Sequence, residues 1–312
     1  MENVEHNTSD AARSGAGSCE SCKDSSCSAA KRQTGETDKD FQERRELQSR
    51  LCRIRHKIMV MSGKGGVGKS TVAVNLAMAL MLAGKRVGLM DVDIHGPSVP
   101  TMLGLEGATI VNSPDGLLPV QLGYLKVMSM GFLLPNPDEA VIWRGPVKGG
   151  VIKQFLKDVA WGDLDYLIID APPGTGDEPL SVCQLIEPID GAVIVTTPQK
   201  VAAVDVRKSI TFCSHVGMKV LGVVENMSGF VCPKCGEVTQ ILRSGGGRLM
   251  ADDMKVPFLG SVPIDPLVAE AGDLGRAFVM HYPSSPTAEI MRSVVAPLLA
   301  LADGDETDRE AR

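Results

Sequence analysis

The 312-residue sequence contains no stretch of the ~18 to 20 uninterrupted apolar residues that a bilayer-spanning helix needs. Its first residues, MENVEHNTSD, have neither the basic nor the apolar segment of a secretory leader. A positive surplus is missing too, since 32 Lys and Arg face 38 Asp and Glu for a formal net charge of -6. Non-specific adhesion to nucleic acid or anionic lipid needs a basic surface, so neither a nucleic-acid nor a membrane partner is expected. These absences predict a cytoplasmic protein. In that reducing compartment the eight cysteines are expected as thiols, metal ligands or redox groups, not structural disulfides.

Residues 1–40 are rich in Ser, Ala, Gly and charge and nearly devoid of large apolar side chains, so burial cannot offset the entropy of ordering them. A disordered tail is expected there. Residues 41–56 place Phe41, Leu47, Leu51 and Ile54 near helical spacing and predict a short lead-in helix. A domain over 57–301 follows, and the acidic stretch 302–312 reads as a frayed tail. Within the domain, apolar runs at 57–61, 86–91, 166–170, 191–197, 220–226 and 256–263 alternate with helical patterns. Runs apolar on every residue suit strands buried on both faces, joined by right-handed helical crossovers. The expected fold is therefore α/β, a doubly wound and mostly parallel sheet.

The segment GKGGVGKS at 63–70 matches G-x-x-x-x-G-K-[ST] and stands between an apolar strand and the helix-like TVAVNLAMALMLAG, the context its mechanism requires. Gly63, Gly65, Gly66 and Gly68, with Lys64 and Val67 between them, let backbone N–H groups converge on phosphates, and the helix N-terminus adds partial positive charge. Lys69 is assigned to the β and γ phosphates of ATP, Ser70 to Mg²⁺ and Thr71 to the α phosphate. Lys64 is a second cation in the loop, able to reach phosphate charge from a partner subunit as an arginine finger does.

With Lys64 in GKGGVGKST, the loop resembles the deviant Walker A box of the ATPases that include the cell-division and partition ATPases, nitrogenase iron protein and Mrp-type iron-sulfur cluster carriers. The resemblance implies a P-loop NTPase fold and a homodimer with nucleotides at its interface.

Two further apolar strands end in acids, where strand C-termini meet the ligand crevice of an open sheet. In LMDVDIHGPSVP, Asp93 is assigned to orient the attacking water and Asp91 to support the metal shell, against the alternative that both are cap or turn residues. In LIIDAPPGTGDE, Asp170 is expected to hold Mg²⁺ through its water shell, and Gly174 and Thr175 to sense the γ phosphate. Asp177 receives no role. The resemblance further implies adenine contacts at Asn226 in VENMSGF and Pro263 in SVPIDP, although Asn226 also reads as a turn former.

Eight cysteines scattered over this length would give about 0.2 C-x-x-C pairs, yet there are two, Cys19/Cys22 and Cys232/Cys235. In VCPKCG the Pro and Gly suit a knuckle that points both sulfurs one way. One pair cannot complete four-coordination, so Cys232 and Cys235 need two more ligands for zinc or a [4Fe-4S] cluster, which a symmetric dimer would supply. The resemblance to the Mrp-type carriers implies a [4Fe-4S] cluster shared in this way. Such a bridging cluster is exposed and labile, which suits transfer to apo iron-sulfur proteins. The match to the Mrp-type carriers covers nearly all of 57–280, including DVDIHGPSVP, WRGPVK, DAPPGTGDE and ENMSGFVCPKCG. A structural zinc knuckle and a redox dithiol are the competing readings of Cys232/Cys235. Cys19, Cys22 and Cys27 resemble the tail that holds a second cluster in part of that family, but an upstream fourth cysteine is missing. Cys52, Cys183 and Cys213 are isolated and read as small buried hydrophobes. His95 and His215 lack spaced partners, and Arg144 suits an interface or phosphate contact or, equally, a surface ion pair.

The expected function is an ATP-hydrolysing iron-sulfur cluster carrier. A positioning ATPase of the partition class and a cluster-bearing electron-transfer reductase are its rivals. The acidic flanks of the helix in 287–312 disfavour the first, and the nucleotide site fits the second equally well.

Overall fold

The computed structural model describes residues 32, 34–93, 96–133, 145–186, 188–232 and 234–310. Two compact units divide the chain, Met1–Cys52 and Arg53–Arg312. The expected disordered tail falls almost entirely outside the described residues.

In the first unit, helix α1 spans Asp38–Leu51. Thr37 starts it three residues earlier than the apolar spacing predicts, because its hydroxyl accepts from the Asp40 N–H at 3.2 Å. Glu36 takes a two-pronged pair from Arg44, each contact 2.8 Å, and the Arg44 guanidinium lies over the Phe41 ring. The helix stops short of Ile54, which instead begins a strand.

The second unit contains, in chain order, β1 (Ile54–Met61), α2 (Lys69–Leu82), β2 (Val87–Asp91), α3 (Val99–Met102), β3 (Val111–Ser113), β4 (Gly116–Leu118), β5 (Val120–Leu122) and β6 (Leu125–Ser129). Then come α4 (Gly145–Asp158), β7 (Leu164–Asp170), α5 (Asp177–Leu185), β8 (Gly191–Thr196), α6 (Lys200–His215) and β9 (Val220–Val231). The chain ends with β10 (Val238–Thr239), α7 (Gly246–Met254), β11 (Phe258–Ile264), α8 (Pro266–Asp273), α9 (Phe278–His281) and α10 (Pro286–Glu310).

Among the described residues the main sheet has nine strands in the order β10-β9-β8-β1-β7-β2-β6-β5, with β11 also paired to β9. Only β5 against β6 and β10 against β9 run antiparallel, so the sheet is mixed and mostly parallel. Side chains alternate across each strand. Ile58 and Val60 of β1 therefore join the core that contains α2, α9 and α10 residues, while Met59 and Met61 meet Cys183 of α5 and Cys213 of α6 on the other face. Helical layers on both faces explain why the central strands are apolar at nearly every residue. The six expected strands are β1, β2, β7, β8, β9 and β11. β1 begins at Ile54, ahead of Lys57, because its pairing with β7 already holds at Ile54↔Leu164. α10 continues to Glu310 through the stretch expected to fray, since extending a formed helix is easier than starting one.

Candidate functional site

β1, β7 and β2 lie side by side with their C-terminal ends together, so their following loops converge. The loop after β1 enters α2 at Lys69, with Gly66 at φ 76° and Gly68 at φ 80°, conformations that favour glycine. Gly68 has a second constraint: a Cβ there would overlap the side-chain amide of Asn226, which donates to the Val67 carbonyl at 2.9 Å. Gly63 is similarly fixed, because a Cβ would run into the backbone of Asp205 in α6. Ser62 ties the loop to itself through its hydroxyl, 2.9 Å from the Lys64 carbonyl. Its own carbonyl accepts the Gly174 N–H at 2.8 Å, joining the phosphate loop to the loop after β7. Gly174, at φ 96°, has open space around it, and Thr175 beside it is half-buried.

Beneath this loop is a buried cluster of charge. The Lys69 ammonium donates to Asp170 Oδ1 at 2.6 Å and to the Ser70 hydroxyl at 3.3 Å. Asp91 sits opposite Asp170 in the β2/β7 register, and both carboxyls are fully buried. Burial, reinforced by the charge of Asp170, raises Asp91 from its ordinary value to about 7. Burial also raises Asp170, against the opposing pull of Lys69. The oxygens of Asp91 accept from Ser129 Oγ at 2.8 Å, Asp93 N at 3.1 Å and Val99 N at 3.4 Å. Asp91 thus positions the turn that carries the half-buried Asp93, where the sequence suggested a metal-shell role. Asp170 Oδ2 is buried without a hydrogen-bond partner. That orphaned oxygen next to the Ser70 hydroxyl fits a hard, oxygen-seeking cation such as Mg²⁺. Asp177 lies in the first turn of α5, where its charge complements the helix dipole.

A cleft of about 1330 Å³ opens beside the first turn of α2, lined among others by Gly68, Thr71, Asn226, Pro263 and Phe278. The structure therefore brings both expected adenine contacts to one cleft with the phosphate loop. Met227, also on its wall, holds φ 60°, a left-handed conformation unusual for a side-chain-bearing residue.

Five residues along β9 from Met227, the chain leaves the sheet as a hairpin. The Cys232 N–H donates to Glu237 O and the Gly236 N–H to Cys232 O, each at 2.9 Å. Gly236 takes φ 75° to close the turn, and β10 returns with Val238 opposite Val231. Cys235 is exposed and Cys232 half-buried at this tip. N–H groups of Cys235 and Lys234 hold the Cys232 thiol below its ordinary value. Among the described residues no group of three or more His, Cys, Asp or Glu side chains is placed to hold a metal ion, so among those residues the two sulfurs are an incomplete ligand set.

Cys183 and Cys213 are buried as expected, and burial pushes Cys213 up to about 12. Cys52 is not: it is exposed at the end of α1, where the helix stops and its thiol donates to Ser49 O at 3.2 Å. His215 is exposed in the last turn of α6. Cys19, Cys22, Cys27, His95 and Arg144 lie outside the described residues.

Sequence reasoning missed Ser62, Ser129 and Glu225. Glu225 had a signal, a lone acid inside the apolar run VLGVVEN, and so did the glycine triplet 245–247 that it binds.

A family model, the NUBPL iron-transfer P-loop NTPase group of the ParA class, matches residues 53–299. The cytosolic Fe-S cluster assembly factor NUBP2 homolog of Culex quinquefasciatus is 54% identical over 249 residues, covering 78% of this chain and 97% of the relative. NUBP2 of Bos taurus is 50% identical over 255 residues, covering 80% and 94%. Among solved structures, a nucleotide-binding protein of Archaeoglobus fulgidus in complex with ADP superposes with a TM-score of 0.68 at 45% identity, covering 75% of this chain and 92% of its own. The cell division ATPase MinD of Pyrococcus furiosus superposes with a TM-score of 0.58 at 26% identity, covering 79% and 99%. With the phosphate loop, its acids and the model match spanning most of the sequence, the chain belongs to the NUBPL iron-transfer P-loop NTPase family.

Proposed function

We propose that this protein is a cytosolic, homodimeric ATPase that binds an iron-sulfur cluster and transfers it to apo iron-sulfur proteins. One observation carries the reading: the strand whose Asn226 bonds the phosphate loop runs on into the exposed Cys232/Cys235 tip. The names of the relatives, cytosolic Fe-S cluster assembly factors, support the same cargo and compartment. Among the described residues no helix is long and apolar enough to cross a membrane.

In this reading Gly63 to Thr71 cradle the triphosphate, and Asn226 and Pro263 border the base. Lys69 turns from Asp170 to the β and γ phosphates, while Lys64 contributes across the dimer. Asp93 orients the water that displaces the γ phosphate. Ser70 and Asp170 hold Mg²⁺, which supplies neutralising charge when bound. Gly174 and Thr175 respond to the γ phosphate through the Ser62 link. Cys232 and Cys235 provide two thiolates, their symmetry mates the other two, and the [4Fe-4S] cluster is cargo at that seam.

Anaerobic reconstitution of the wild type and of a Cys232→Ala/Cys235→Ala variant tests the proposal, with iron, labile sulfide and zinc measured per dimer. The wild type is expected to take up iron and sulfide and the variant to lose both. Zinc without labile sulfide in the wild type refutes the carrier reading.

A further inference from the structure

Glu225 is fully buried in the middle of β9, its backbone paired with Thr196 of β8 on one side and Ser261 of β11 on the other. One oxygen, Oε1, accepts from Ser228 Oγ at 2.6 Å and from the Gly245 N–H at 2.9 Å. The other, Oε2, accepts from the Gly247 N–H at 2.5 Å. Ser228 is where the chain sets out toward the cysteine tip, and Gly245 and Gly247 are where it returns to start α7. A single carboxylate therefore grips both feet of the excursion that carries Cys232 and Cys235.

The surroundings are shaped for that grip. A Cβ at Gly246 would overlap the Pro198 carbonyl, and one at Gly247 would come within 3.0 Å of Glu225 and 3.1 Å of Thr196. Only glycines let the returning backbone approach so closely. Met227 and Arg243, at φ 60° and 71°, flank the two feet in left-handed conformations that persist where neighbouring contacts over-determine them. Successive strand residues face opposite sides of a sheet. Asn226 therefore reaches the phosphate loop on one face, and Glu225, one residue earlier, reaches the hairpin feet on the other.

We infer that Glu225 is a positioning residue that clamps the Cys232/Cys235 hairpin to the strand position adjoining Asn226, so that the thiol pair moves with the nucleotide loop. The inference deepens the carrier reading and rests on it for the cargo alone; the clamp itself is a property of the cluster-free chain.

Hydrogen-exchange mass spectrometry on the cluster-free, full-length protein tests the clamp, comparing wild type, Glu225→Gln and Ser228→Ala with and without Mg²⁺ and a non-hydrolysable ATP analogue. The amide of Glu225→Gln would face the Gly247 N–H, donor to donor, and Ser228→Ala removes one foot only. The amides of Cys232 and Gly236 are expected to exchange roughly tenfold faster in Glu225→Gln, and less so in Ser228→Ala, with β1 and β8 unchanged. Addition of the analogue is expected to slow hairpin exchange in the wild type and to leave it unchanged in Glu225→Gln, whose affinity for the analogue stays within about twofold of wild type. Wild-type hairpin rates in both variants overturn the inference. A speed-up spread equally over β1 and β8 also overturns it, by making Glu225 an ordinary core contact. Where Glu225→Gln does not fold, Ser228→Ala alone decides. A localised speed-up in a protein that takes up no iron and sulfide leaves the clamp standing and sinks the carrier reading.

Discussion

The close approach of Asn226 to Gly68 makes a prediction that separates two causes of the same loss. Gly68→Ala places a methyl on a residue held at φ 80°, which costs about 1 to 2 kcal/mol of left-handed strain. The same methyl overlaps the Asn226 amide, so the bond to Val67 O breaks and the side chain leaves its rotamer, adding about 1 to 2 kcal/mol. The single variant is therefore expected to lose about 2 to 4 kcal/mol. Asn226→Ala loses the same hydrogen bond and is expected to cost about 1 to 3 kcal/mol. In the double variant the overlap is gone and only the strain and one lost bond remain. The two single losses should then exceed the double loss by about 1 to 2 kcal/mol. Urea unfolding of all four proteins, extrapolated to water at constant slope, measures the cycle. Strict additivity would show that Asn226 does not occupy the space above Gly68, and would remove the physical link drawn between the nucleotide loop and β9.

Three other outcomes follow from the site and its surroundings. Cys232 is expected to be the thiol alkylated at the lowest pH in cluster-free protein, its rate profile shifted below the ~8.5 of an ordinary cysteine, while Cys213 stays inert until unfolding; mass-spectrometric mapping after iodoacetamide pulses reads both, and a profile at the ordinary value removes the N–H groups of Lys234 and Cys235 as the cause. Burial alone would raise Asp190, but the hydrogen bonds from His56 and the Lys57 N–H and their charges bring it below its ordinary value. That stability is present above the unfolded pKa of ~3.9 and lost as pH falls through the folded one, so Asp190→Asn should cost about 1 to 3 kcal/mol at pH 7 and progressively less in acid. A gap between the two unfolding curves that holds constant down to pH 2 contradicts this. Chelating Mg²⁺ is expected to weaken ATP binding at least tenfold, and Asp170→Asn to shrink that dependence; calorimetric titration showing equal affinity with and without metal refutes the assignment.

The sheet and the phosphate loop were legible because each carries a local signature. Buried parallel strands are apolar at nearly every residue, as in YLIID up to its terminal Asp170, and the glycines of GKGGVGKS match a phosphate-binding loop. Short edge pieces were not legible: β5 and β10 have three and two residues, and what makes them strands is a partner across a turn at Gly123 or Gly236. The cysteine pair was found by spacing, but its support was not. Glu225 is 20 residues from Gly245, and nothing within either segment announces the other. Asp91 was found as an acid at a strand end, yet its use in holding Asp93, Ser129 and Val99 depends on β6 lying beside β2.

The charge cluster limits the order in which the site can work. Lys69 and Asp170 neutralise each other where both are buried, and removing one partner from such a pair leaves a charge whose burial costs several kcal/mol. A triphosphate that draws Lys69 away would strand Asp170 beside Asp91, which is already raised to about 7 by burial and by that same neighbour. An unpaired Asp170 carboxylate facing an anionic ligand, with burial already disfavouring charge on Asp91, is an unfavourable arrangement. A divalent cation arriving with the nucleotide removes the conflict, since it satisfies the unpartnered Asp170 Oδ2 at the moment Lys69 departs. In the proposed reading, nucleotide and metal would therefore bind as one event. Because Gly174 is bonded to Ser62 at the mouth of the same loop, that event would reach the segment after β7 without an intermediary. Through Asn226 it would also reach β9, the strand that ends at the thiols.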